Sequence, residues 1–116
     1  MTTKKKELIV TSALPYANGP LHFGHLLEHI QTDIWVRSQR ILGNHCIYLC
    51  ASDAHGTPIM MKAEEENIAP EKLVDKYMKA HKKTLEAFQV SHDCYYQTHS
   101  EENKKYSELI YNTALE

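Results

Sequence analysis

Two histidines three residues apart, His22 and His25, enclose Gly24 just after a stretch rich in turn formers, Pro15-Tyr16-Ala17-Asn18-Gly19-Pro20. Imidazoles at positions i and i+3 share one face of a helical turn, so both can donate hydrogen bonds to the same group. Gly24 lets that group come close to the backbone, and the N–H groups of a helix amino terminus attract anions. A phosphate chain suits such a place. On spacing alone, the pair reads equally well as solvated or structural histidines. A His-x-x-His pair is also half of a metal site, but neither His-Glu-x-x-His nor Cys-x-x-Cys accompanies it, so no metal ligands are expected here. Gly-x-x-x-x-Gly-Lys-Ser/Thr and Gly-x-Gly-x-x-Gly are both absent, and any phosphate site is of another kind.

The elements needed to position these residues follow from the apolar pattern. Leu8 to Leu14 is a short, partly β-branched run stopped by Pro15, the pattern of a strand buried on both faces of a parallel sheet. Phe23, Leu27, Ile30, Ile34 and Ile41 then recur at near-helical spacing, and Gly43 offers a stop. Cys46 to Ala51 reads as a second strand, with Cys46 and Cys50 facing one side. Strand, loop, helix and strand make a βαβ unit, for which a right-handed crossover is the default. Its ligand edge is the carboxyl end of the strands, where the two histidines fall. Thr57-Pro58 carries a capping hydroxyl before a proline and predicts a short helix containing Met60 and Met61 as core filler. Pro70 opens a longer helix with Leu73, Val74, Tyr77, Met78, His81, Leu85 and Phe88 on one stripe and Lys72, Lys76, Lys79, Lys82 and Lys83 on a solvated face. Asp93 to Thr98 is a third strand, and Ser100 caps a last helix bearing Tyr106, Leu109, Ile110 and Thr113. The fold class is α/β with a parallel sheet, and residues 1–116 form one unit with no repeat and no linker.

Composition narrows the functions available. A hydrophobic share of 42% with 24% charged residues is that of a globular chain and excludes a disordered one. A formal net charge of -2 gives no overall positive field for nucleic acid, so RNA contacts must be local. Three cysteines without a close pair describe no disulfide framework and fit a reducing compartment. Leu8-Ile9-Val10 is too short for a signal-peptide core or a membrane span, and a cytoplasmic location is expected.

His22-Phe23-Gly24-His25 resembles the His-Ile-Gly-His signature of class I aminoacyl-tRNA synthetases. Around it, Ala13-Leu14-Pro15-Tyr16-Ala17-Asn18-Gly19, Leu27-Glu28-His29-Ile30-Gln31, Asp53-Ala54-His55-Gly56-Thr57-Pro58 and Thr98-His99-Ser100-Glu101-Glu102-Asn103 resemble, in order, the methionyl-tRNA synthetase family. The resemblance implies the amino-terminal half of a Rossmann-like nucleotide-binding catalytic domain. It implies ATP, with Mg2+, as the substrate that activates methionine before transfer to tRNA(Met). By the same resemblance His22, Gly24 and His25 hold ATP, His22 and His25 steadying charge in the transition state. Asp53 matches the acid that holds the substrate ammonium group, although a turn or capping aspartate would look the same. Leu14 and Tyr16 match the border of the methionine side-chain pocket, although Leu14 reads equally as core. Glu28, His29 and His55 fall near the site, in direct contact or in support of it.

The sequence departs from the family at Ser52, where many members carry a second acid, which lowers the local charge. The family's Lys-Met-Ser-Lys-Ser loop is absent, as are its zinc-binding knuckle and anticodon-reading helices, so Zn2+ is expected only in the full-length enzyme. With no glycine, asparagine or proline stop after its last helix, the ending reads as cut, and without the missing loop the chain is expected to be inactive alone and to work with the remaining part of a synthetase. The alternative is a non-catalytic or degenerate fragment that binds ATP or methionine.

Overall fold

The computed structural model describes residues 4–115; the first three residues of the basic start and the final Glu116 lie outside it. Seven elements follow in order: β1 (Glu7–Thr11), α1 (Phe23–Ile41), β2 (His45–Ser52), α2 (Thr57–Glu65), α3 (Pro70–Ala87), β3 (Cys94–Gln97) and α4 (Glu101–Leu115). The three strands form a parallel sheet in the order β1-β2-β3, with Leu8 opposite Cys46 and Cys50 opposite Tyr95. Each strand follows its neighbour on the same side, so two right-handed crossovers must lay α1 and α3 on one face of the sheet. Val36 of α1 and Leu85 of α3 accordingly pack with Cys46, Tyr48 and Val90, flanked by Leu8, Val10 and Tyr95.

No described helix covers Ile9 on the opposite face, and its 73% exposure corrects the reading of β1 as a strand buried on both sides. β1 also ends earlier than the apolar run suggests. After Thr11 the chain leaves the ladder, and the N–H of Ala13 goes to Glu28 Oε1 at 2.6 Å. Parallel pairing resumes at Tyr16 and Asp53, where Asp53 N–H donates to the Pro15 carbonyl and Ala17 N–H to the Asp53 carbonyl.

Helix α1 packs on the sheet by a mixed face, on which Leu26 and, from the apolar pattern, Ile30 lie partly buried against the core. Its buried residues are His29, Asp33 and Val36, whereas Phe23, Leu27, Ile34, Trp35 and Ile41 face outward. Buried polar groups persist where they are fully paired. Asp33 accepts from the Ser91 N–H at 2.7 Å and from Arg37 Nε at 2.6 Å. Burial pushes that carboxyl upward, but the hydrogen bonds from Ser91 and Arg37 outweigh it and hold the group below its usual range.

All three inner helices close the same way. The residue past the cap takes a positive φ, at Gly43 (81°), Asn67 (52°) and Gln89 (58°), and the next N–H returns to the helix, Asn44 to Gln39, Ile68 to Ala63 and Val90 to Leu85. Gly43 is the stop its type suggested. α2 starts differently from expectation, because Thr57 lies inside the helix and Gly56 occupies the cap with no side-chain hydrogen bond. A proline at the second position already supplies the helical φ there. Met60 and Met61 are exposed, and Ile59 and Ala63 fill the core with Leu73, Val74 and Ala17.

Along α3, Leu73, Val74, His81 and Leu85 are buried as the stripe implies, but Phe88 at its cap is exposed. No described residue of α4 is buried. The chain exposes 8418 Å², against about 6,500 Å² for a compact monomer of this mass, and its radius of gyration is 16.8 Å against about 13 Å. No described helix is long and apolar enough to cross a membrane.

Candidate functional site

His22 is the amino-terminal cap of α1 and forms a reciprocal capping box with His25. Its Nδ1 accepts the N–H groups of Gly24 at 3.1 Å and His25 at 3.4 Å, and His25 Nδ1 accepts the N–H of His22 at 3.3 Å. The two rings stack 3.7 Å apart. A ring nitrogen that accepts a hydrogen bond carries no proton, so in both imidazoles the proton resides on Nε2. The backbone therefore fixes a tautomer with two adjacent donors at the positive end of a 19-residue helix. Burial, and after it the His22 ring, keeps His25 below the ordinary imidazole range, which favours the neutral ring. Gly24 has a plain steric reason: a Cβ there would lie 3.0 Å from Cε1 of His22 and push the capping ring aside.

A second group gathers where β2 ends. Asp53 Oδ1 accepts from the N–H of His55 at 3.3 Å and from the Thr98 hydroxyl at 3.4 Å. Thr98 in turn takes the N–H of Ala54 at 2.8 Å, and its carbonyl accepts from Asn103 Nδ2 at 2.8 Å. Asp53 thus stands at the sheet edge with His55, Thr98 and the start of α4, beside a cleft of about 550 Å³ lined also by His99 and Ser100. Tyr16 pairs with Asp53 through the backbone, its side chain half exposed; Leu14 is 41% exposed and is not core. Neither residue lines the cleft, nor do His22 and His25.

His81 does more than fill the stripe its spacing gives it. It is 1% exposed on α3, bonds Ser52 Oγ through Nδ1 at 3.0 Å and the Gly19 carbonyl through Nε2 at 2.7 Å. It therefore ties the connector before His22 to the residue before Asp53, joining the two groups. Ser52 Oγ also bonds the Tyr95 hydroxyl at 2.9 Å and is fully buried, so the departure from a second acid places an uncharged hydroxyl among neutral partners. Glu28 and His29 support the loop after β1, Glu28 through Ala13 and His29 Nδ1 through Ser12 Oγ at 3.1 Å.

A parallel sheet with a histidine-capped helix at its carboxyl edge defines an α/β segment of Rossmann type. The family of tRNA synthetases class I (M) matches residues 8–116. The methionine--tRNA ligase of Leptospira biflexa is 56% identical over 108 residues, 93% of this chain and 16% of that protein. Two solved structures of Mycobacterium tuberculosis methionyl-tRNA synthetase, one bound by methionyl-adenylate and one in complex with it, share the fold. Their TM-scores are 0.80 and 0.81 at 26% and 25% identity, covering 84% and 85% of this chain. The chain belongs to the methionyl class I tRNA synthetase family and spans less than a fifth of the length of these relatives, 16% to 19%.

Proposed function

We propose that this chain supplies the His-x-Gly-His half of a site that activates methionine with ATP, delivered as its Mg2+ complex, for transfer to tRNA(Met). The observation that carries the reading is the His22–His25 capping box, which leaves two Nε2–H donors side by side at a helix amino terminus. In the reaction a methionine carboxylate oxygen bonds to the α-phosphorus, the bond to the bridging oxygen breaks, and pyrophosphate leaves. Negative charge builds on the phosphoryl oxygens, and fixed donors that need no reorganisation stabilise it. Gly24 keeps side-chain bulk from the approach, Asp53 receives the methionine ammonium group, and Leu14 and Tyr16 border the thioether. The relatives bound to methionyl-adenylate support the substrate assignment.

The 116-residue chain by itself forms no methionyl-tRNA in this reading. The test is methionine-dependent ATP–pyrophosphate exchange by the purified chain, alone and with the remaining length of a related ligase supplied as a second polypeptide. Exchange only on complementation is expected. Exchange by the chain alone would refute the half-site. Saturable ATP or methionine binding with no exchange under complementation would make it a binding fragment.

A further inference from the structure

Behind the proposed substrate edge, on the covered face of the sheet, three side chains from three different elements converge. One imidazole nitrogen of His29 on α1, Sγ of Cys50 on β2 and one imidazole nitrogen of His92 ahead of β3 all lie within 4.8 Å of one another. We propose that His29, Cys50 and His92 form a binding site for a thiophilic divalent transition-metal ion, of which Zn2+ is the representative.

The independent observation is His92 Nε2, the one buried side-chain nitrogen or oxygen without a hydrogen-bond partner among the described residues. Such a group costs free energy unless something answers it. Its ring is wedged against Tyr48 at 4.3 Å and Tyr95 at 5.4 Å, with His29 edge-on at 5.5 Å, so it cannot turn freely to water. Two nitrogens and a sulfur are the donors that Zn2+ and Co2+ prefer, whereas Mg2+ and Ca2+ take oxygen. Tetrahedral Zn–N and Zn–S bonds of about 2.0–2.3 Å put ligand atoms roughly 3.3–3.8 Å apart, a contraction that rotamer adjustment supplies. Ser12 Oγ, 3.1 Å from His29 Nδ1 and 3.4 Å from Cys50 Sγ, stands beside the cluster as an oxygen donor for the fourth position.

Binding is an exchange without redox chemistry. The Cys50 S–H bond breaks, its proton leaves to solvent, and a metal–sulfur bond forms. Sequence spacing conceals the site because its ligands lie 21 and 42 positions apart. Its effect is to clamp α1 to β2 and to the start of β3, beneath both groups of the proposed site.

The test is a Co2+ titration of the full 116-residue chain, followed by absorbance and thermal unfolding. A single equivalent should produce a thiolate-to-cobalt charge-transfer band, the intense visible bands of tetrahedral cobalt and a rise in Tm. The bands should persist in Cys94→Ser, which removes the exposed thiol, and vanish in Cys50→Ser and in His92→Phe, which keeps an aromatic ring against Tyr48. Circular dichroism confirms that each variant is folded. No thiolate band in the folded parent chain overturns the proposal, as does a band unchanged in His92→Phe or lost in Cys94→Ser.

Discussion

The two histidine pairs on and behind α1 are made of the same rings and live under opposite rules. His22 and His25 stack at 3.7 Å near the surface, each held by a backbone N–H of its own helix turn. His29 and His92 meet edge-on at 5.5 Å in the interior, against the loop after β1 and Tyr48 of β2, and one nitrogen of the second ring is unanswered. The outer pair is locally self-sufficient, so its orientation survives changes elsewhere in the fold. The inner pair exists only when the whole sheet layer is assembled. A pair built the first way is oriented by one helix turn, while one built the second way depends on several segments at once.

The sharpest way to break this contrast separates capping from donation at the outer pair. His22→Ser keeps a side-chain oxygen to cap α1 but removes the outward Nε2–H. In a complete, exchange-competent protein it should slow ATP–pyrophosphate exchange by about 100-fold, corresponding to ~3 kcal/mol of lost transition-state stabilisation. Stability by urea unfolding should stay within about 1 kcal/mol of the parent. A large stability loss with unchanged exchange would make His22 a structural cap and nothing more.

A smaller effect is expected at His81, buried like the inner pair but with both nitrogens paired. Burial lowers its pKa, and the hydrogen bond to Gly19 only partly opposes this. The unfolded imidazole takes up a proton near pH 6.5 and the folded one at lower pH, so the unfolded state binds more protons between the two. The contribution of His81 is complete above about pH 6.5 and is lost as pH falls toward the folded value. Metal-free parent chain should therefore lose more Tm between about pH 7.5 and pH 5 than His81→Gln does. Equal losses in both would remove His81 from the account.

The same contrast explains which parts could be read from the chain alone. The outer pair, the Phe23–Ile41 helix and its Gly43 stop are local patterns, complete within one helix, and they were legible. The side on which α1 packs was not, since a stripe reading assumes that apolar residues face inward. Here His29 and Asp33 are satisfied by Ser12 and Ser91, 17 and 58 residues away, and pairing at that range leaves no periodic trace. The two-sided burial expected of β1 failed for a topological reason. A three-stranded sheet wound in one direction sends both crossovers to the same side, and no strand pattern records how many layers will form. His81 is the buried stripe residue its spacing implies, but its partners, Gly19 and Ser52, lie on other segments and leave no mark in that spacing.

The open face of the sheet and the projecting α4 also set how this chain melts. By size scaling, an unfolded chain of this mass exposes about 19,000 Å², so a compact fold would bury about 13,000 Å² and this one buries about 11,000 Å². Denaturant sensitivity and the heat capacity of unfolding both scale with that difference. Its urea m value should fall roughly 15% below that of a compact chain of equal length. The urea transition should be correspondingly broader.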